Sequence, residues 1–451
     1  MRIKRKIYQI KKSGFVRSVG VLLGGTAFAQ GLMVLALPIV TRLYTPQDFS
    51  VLAVYAALLG IISVVACLRI DVAIPMPEKD EDAANLLSLS LFIAFIMAFV
   101  VALVLLFLPT VLMAAAGLED LLPYIWLLPV GILFAGLYSA LQFWVTRKKA
   151  FPLVAKTRIT QSIAAVVSQI GLGWFGLAPL GLLIGQTLSN GSGVLGLGKC
   201  VWREDRNILR GVSMAKMRCL LHEYRRFPQY STFEALANSA AIQIPVIIIA
   251  AVAIGPEAGF LMLAMRVMQA PMGLIGAAIS QVYISRAAEE YRNNNLGPFT
   301  ASILGGLLST GCGPLIFAGI IAPDIFALVF GEEWRRAGAL VMWMTPWFIM
   351  QFLASPISMA LHVTGNQRIA LSLQIGGLFL RLIFVISAVY ISKAQVAEAY
   401  AVSGFVFYFI YFIVLIGVVR IRLVDIFKES KGGLVYMLFW IALGGGVLYI
   451  S

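Results

Sequence analysis

Residues 86–108 read LLSLSLFIAFIMAFVVALVLLFL, from Leu86 to Leu108, without one charged side chain. A helix needs about 20 mostly apolar residues to cross the hydrocarbon core of a bilayer, and this run exceeds that length. Twelve more stretches of the kind are marked along the chain, from Val19–Val40 at one end to Leu434–Ile450 at the other, with Gly259–Tyr283 and Ile369–Ile391 among them. Composition agrees. Of 451 residues, 60% are hydrophobic and 12% charged, and the mean hydropathy is +0.91. There are too few polar side chains to clothe a soluble domain. The expected fold class is an all-α polytopic membrane protein with about 12 to 13 spans.

The net charge of +14 would suit nucleic acid, but the basic residues alternate by loop. With the N-terminus placed inside, only Arg42, Arg335, Arg336 and Lys393 fall on outer segments. Arg266 and Arg381 fall within spans, and every other Lys and Arg is cytoplasmic. That asymmetry is the positive-inside bias. The N-terminus is therefore expected in the cytoplasm, with no nucleic-acid partner. Ala27-Phe28-Ala29 imitates a signal-peptide cleavage site, yet apolar sequence continues to Val40, so the segment is read as a retained first helix. Cys67, Cys200, Cys219 and Cys312 have no metal-like spacing and form no disulfide framework.

The longest non-membrane segment, Gly198–Thr232, separates six spans from the next six. Two lobes follow from this: residues 1–198 with helices 1–6, and residues 233–430 with helices 7–12. A cytoplasmic linker, 199–232, joins them, and 431–451 adds a C-terminal hydrophobic helix. An even number of spans per lobe relates the lobes by a pseudo-twofold along the membrane normal, as in transporters built from parallel repeats. TPQDFSVLA (Thr45–Ala53) and GPEAGFLMLA (Gly255–Ala264) echo one another at the corresponding helix starts. The linker interleaves Lys and Arg with Met, Leu, Tyr and Phe, which suits a helix on anionic head groups.

Two motifs mislead. In GSGVLGLGKC, Gly191, Gly193 and Gly196 match GxGxxG, and Lys199 follows Gly198 as in a phosphate loop. Both motifs need a strand before the glycines. Here they end an apolar helix, Cys200 stands where Ser or Thr would hold magnesium, and close helix packing is the simpler reading. His222 and His362 have no partners spaced for zinc or a triad. No cofactor and no enzymatic activity are expected.

Arg266 and Arg381 are the informative residues, because no Asp or Glu lies near either at the same expected depth. A charge near the bilayer centre costs at least about 2.5–3.5 kcal/mol, so an intramembrane cation is a functional-site hypothesis. Both are read as parts of a cationic cavity for an anionic substrate. Gln30, Asn238 and Gln243 lie within spans and suit a wet lining that meets sugar hydroxyls. Taken singly, each is better read as an interhelical hydrogen bond; it is as a set that they suit a sugar.

LPIVTRLYTPQDFSVLAVYAALLGIISVVACLRIDVAIPMPEKDEDAANLLSLS (Leu37–Ser90) resembles the opening of the O-antigen and polysaccharide flippases, within the multidrug/oligosaccharidyl-lipid/polysaccharide exporter superfamily. Phe227–Ile249 and Gly259–Glu290 resemble that family's seventh and eighth helices, and APDIFALVFGEEWRRAG (Ala322–Gly338) resembles its ninth-to-tenth connection. The resemblance implies two six-helix lobes around a cavity of alternating access. It implies outward movement of an undecaprenyl-diphosphate-linked glycan, with proton or sodium coupling and association with polysaccharide polymerase and glycosyltransferases. Ser50 departs from the glycine usual in the family, and a thirteenth span would leave the C-terminus outside. The competing readings are an ion-coupled multidrug exporter, which needs intramembrane carboxylates where only Asp71 and Glu234 stand near helix ends, and a membrane enzyme of polysaccharide assembly.

Overall fold

The computed structural model describes residues 2–108, 119–430 and 433–450. Met1, 109–118, 431–432 and Ser451, which fall within the expected lobes and C-terminal helix, lie outside the described residues. Among the described residues every regular element is helical, and ten helices are long and apolar enough to cross a membrane. The protein is a multi-pass membrane protein.

The first compact unit comprises Met1–Tyr44 and Val51–Ile244. It contains α1 (Arg2–Leu43), most of α2 (Pro46–Ser63), α3 (Asp80–Phe107), α4 (Leu127–Arg147), α5 (Phe151–Trp174), α6 (Leu180–Gly191), α7 (Gly193–Glu204), α8 (Met214–Glu223) and the start of α9 (Thr232–Val252). The opening stretch of the sequence forms most of α3. Asp80, Glu81 and Asp82 fill its first turn, where negative charge complements the helix dipole. Leu108, which precedes Pro109, is extended, as a residue before proline prefers. Its small residues Ala83, Ala84, Ala94 and Ala98 are buried, whereas Phe95, Phe99, Leu106 and Phe107 are exposed. An exposed apolar face of that size needs lipid rather than water around it.

One stretch departs from expectation. The apolar run Leu177–Leu197 is two helices of twelve residues each, α6 and α7, broken at Ser192. The glycines of the misleading motif sit at this break, and their close packing explains them. A Cβ on Gly191 would stand 2.2 Å from Phe134 Cβ, and one on Gly193 2.5 Å from the Tyr138 ring.

The polar end of this unit is held by α4. Arg147 Nε donates to Asp80, and its other nitrogens donate to the carbonyls of Pro75, Pro77 and Glu78. Lys148 pairs with Asp80 and Asp205, and Trp144 Nε1 donates to Asp205 at 2.8 Å. Fully buried Asn85 accepts the Ser213 N–H at 3.0 Å, so the linker segment leading into α8 is docked onto α3.

The second unit comprises Thr45–Ser50 and Pro245–Ser451. Its helices are the rest of α9, α10 (Glu257–Arg292), α11 (Leu296–Leu307), α12 (Gly313–Phe330), α13 (Arg335–Ala354), α14 (Gln367–Ile391), α15 (Val396–Val419) and α16 (Gly433–Ile450). The two echoed motifs meet here. Gly259 N donates to Ser50 Oγ at 2.9 Å, and a Cβ on Gly259 would lie 2.1 Å from the Pro46 carbonyl. Phe49 and Phe260 both meet Trp334 edge-on. The Gly259 N–H also reaches the Pro256 carbonyl, so the Ser50 hydroxyl shares a first-turn donor of α10.

Candidate functional site

Arg381 lies near the middle of α14, where neither helix end is within easy reach, and is only 7% exposed. Its guanidinium carbon stands 4.6 Å from the ring centroid of Phe407 on α15. Tyr400 and Tyr408, on the same helix, lie within its electrostatic reach. Trp347 on α13 closes this aromatic group, meeting Tyr400 edge-on and stacking with Tyr408. The sequence places these rings because α15 carries aromatic residues at 400, 407, 408 and 411, spacings that share one helix face.

Among the described residues no carboxylate pairs with Arg381, and its Nε is buried without a hydrogen bond. Four more buried polar atoms in this unit, Trp347 Nε1, Gln351 Oε1, Glu398 Oε2 and Trp440 Nε1, are also unsatisfied. Burying the cation costs at least about 2.5–3.5 kcal/mol, whereas a ring face returns about 0.5–2 kcal/mol. The aromatic contact therefore offsets only part of the burial. A guanidinium left in this state is suited to receive an anion.

A cavity of about 450 Å³ opens between α14 and α15, lined by Arg368, Ile369, Ser372, Leu373, Gly376, Gly377, Leu380, Phe407 and Ile410. Arg368 is its charged group, and hydrocarbon makes up most of the remainder. Phe407 belongs both to this lining and to the Arg381 contact, whereas Arg381 itself is not part of the lining. Gly377 lets the Phe407 ring approach, since a Cβ there would stand 2.4 Å from it; a Cβ on Gly376 would meet nothing within 4 Å.

The other expected site residues are distributed as follows. Arg266 is half-buried on α10 in the second unit and is engaged by its surroundings. Gln30 on α1 and Asn238 on α9, both in the first unit, are exposed. Gln243 is half-buried one turn further along α9, with its amide against Gly60 of α2. Ser239 donates to the Gly60 carbonyl at 2.8 Å, a contact that a list of amide side chains overlooks.

Two polar features escaped sequence reasoning. Arg158 lies two turns inside α5 and donates to Thr26 Oγ1 of α1 at 2.8 Å. Arg336 joins three helices, pairing with Glu257 of α10 and Glu398 of α15 from the first turn of α13. The partners of Arg336 are 79 and 62 residues away in sequence, so no local pattern announces them.

The sequence profile of a family described as "Polysaccharide biosynthesis protein" matches residues 39–339, more than half of the chain. No curated protein sequence matches. Among solved structures, the lipid II flippase MurJ in an inward closed conformation aligns with a TM-score of 0.70 at 17% identity, over 95% of this chain and 97% of that one. An inward-facing multidrug resistance MATE family transporter of the MOP superfamily gives 0.51 at 14% identity, over 89% and 94%. A MOP superfamily transporter from Pyrococcus furiosus gives 0.51 at 14%, over 89% and 95%. At these identities the likeness is one of fold, and the chain has the exporter fold.

Proposed function

Because the chain belongs to the polysaccharide biosynthesis protein family, we propose that it is a flippase that moves an undecaprenyl-diphosphate-linked oligosaccharide from the cytoplasmic to the outer leaflet. The cargo is the repeat unit of O-antigen, hence of lipopolysaccharide, or of another surface polysaccharide. The observation that carries this reading is Arg381, a buried guanidinium facing a ring and lacking a carboxylate among the described residues. A diphosphate supplies the missing negative charge, and its oxygens match the planar fork of arginine. Arg266 is assigned the same kind of contact, while Gln30, Asn238 and Gln243 are assigned to sugar hydroxyls.

The site is exposed alternately to the two sides of the bacterial cytoplasmic membrane, and a proton or sodium gradient drives the cycle. The N-terminus faces inward, because the basic residues crowd the segments on that side. Polysaccharide polymerase and glycosyltransferases are the expected neighbours in the membrane. Likeness in fold to a lipid II flippase supports a lipid-linked cargo without identifying the glycan. Purified protein in proteoliposomes tests the assignment. Lipid-linked oligosaccharide added to one leaflet is expected to reach the other under an imposed proton or sodium gradient. Failure with the native glycan under both gradients would overturn it.

A further inference from the structure

Away from Arg381, the first unit buries a second ionisable cluster in the segment between α2 and α3. Asp71 is 4% exposed and sits in a 3₁₀ turn, Ile70–Ala73, outside the membrane-spanning helices. Ser139 of α4 donates to its Oδ2 at 2.5 Å. Its Oδ1 is buried without a partner, and so is the Nε of Arg69, two residues before it. The Cys67 thiol, in the same segment, is spent on the Gly136 carbonyl.

Asp71 is buried and Arg69 half-buried with its Nε out of solvent, and oppositely charged groups so close in sequence ordinarily pair. Here no ion pair forms between them, and each keeps an orphaned atom. Leaving a buried carboxylate oxygen and a buried guanidinium N–H both unmade costs several kcal/mol. A neutral acid removes most of that penalty. The backbone leading into the pair is also held unfavourably: Leu68 and Arg69 have φ of 47° and 58°, the left-handed region that favours glycine.

We propose that Asp71 is a proton-binding site whose occupancy sets the turn between α2 and α3. With the proton bound, the acid hydroxyl donates to Ser139 Oγ and Oδ1 remains a neutral carbonyl that tolerates burial. On release the proton passes to solvent water. The carboxylate Oδ1 then accepts the Arg69 Nε–H, and the strained Leu68–Arg69 turn rearranges to bring the two together.

The surroundings leave Arg69 as the charged partner. From α3, Asp80 is engaged by Arg147 and Lys148, Glu81 by Lys216, and Asp82 is half-buried beside them. α4 contributes the Ser139 hydroxyl and Arg147, which the loop carbonyls hold. The packed turn Phe227–Ser231 carries Tyr230, which is exposed. Burial pushes the Asp71 carboxyl above its ordinary value, while Ser139 and Arg69 pull the other way without cancelling it. With the folded-state value raised, the neutral form's contribution to stability is complete at low pH and is lost as pH rises through that value.

Infrared titration of the full-length protein in lipid nanodiscs tests this. Wild type is expected to show a protonated-carboxyl band that disappears with rising pH, above the ordinary carboxylate range, and that Asp71→Asn lacks. Arg69→Gln removes a charge favouring the ionised form, so it is expected to move the midpoint up by about one pH unit. Asp71→Glu keeps a titrating carboxyl and controls for misfolding of Asp71→Asn. No such band in wild type, its survival in Asp71→Asn, or an unmoved midpoint in Arg69→Gln would overturn the proposal.

Discussion

Arg381 and Phe407 make a guanidinium–ring pair, and the proposed function puts the substrate's charge against that cation. Arg381→Ala is therefore expected to abolish or sharply reduce glycan export while the protein still inserts. Arg381→Lys should restore part of it, since an ammonium keeps the charge but lacks the fork. Surface polysaccharide in a strain carrying only the variant reads the outcome, and a normal level in Arg381→Ala would remove the residue from the site. Two adjacent glycines give a sharper test of packing. Gly376 faces open space, so Gly376→Ala should stabilise the helix by about 0.5–1 kcal/mol. Gly377→Ala should destabilise by about 1–3 kcal/mol, because its Cβ collides with the Phe407 ring. Thermal unfolding of the two purified variants should move in opposite directions, and equal shifts would refute the geometry.

Among the elements, α3 was legible because one uninterrupted apolar run decides a spanning helix with no help from its neighbours. The break between α6 and α7 was not: apolar character continues across Ser192, and the interruption arises from glycines fitting around Phe134 and Tyr138. Arg381 was legible as an anomaly of depth, whereas its aromatic surroundings come from other helices and leave no local mark. Arg336 is the clearest case of information held between elements, since its two carboxylates belong to the first turns of α10 and α15. Arg336→Ala would leave Glu257, which is 7% exposed, facing Glu398 without a cation. A loss of about 1–3 kcal/mol is expected, discounted because Arg336 is itself about one-third exposed. Arg336→Lys should recover part of that loss. Detergent-solubilised protein that melts identically with and without Arg336 would show that the three helix starts are held by packing alone.

For the whole molecule, the distribution of basic residues carries the orientation, and the polar contacts show where that charge is anchored. Arg147 and Lys148 close one end of the first unit over Asp80 and Asp205, and the linker docks beside them through Asn85 and Lys216. The end of α4 and the linker therefore share one side, whichever side that is. The positive-inside bias predicts that this side is cytoplasmic. Lys149 is exposed next to this network and outside its ion pairs, so Lys149→Cys reports the side without breaking the anchor. Cys219, exposed in the linker, is a native second reporter, and Lys393→Cys marks a segment that the charge bias predicts on the outer side. A membrane-impermeant thiol reagent applied to intact cells is expected to label position 393 strongly. Positions 149 and 219 should react only after the membrane is opened. Labelling of 149 and 219 from outside would invert the topology, and with it the direction in which the proposed cargo enters the site. Labelling of one without the other would contradict the docking of the linker onto α3, and the two outcomes separate an error of orientation from an error of fold.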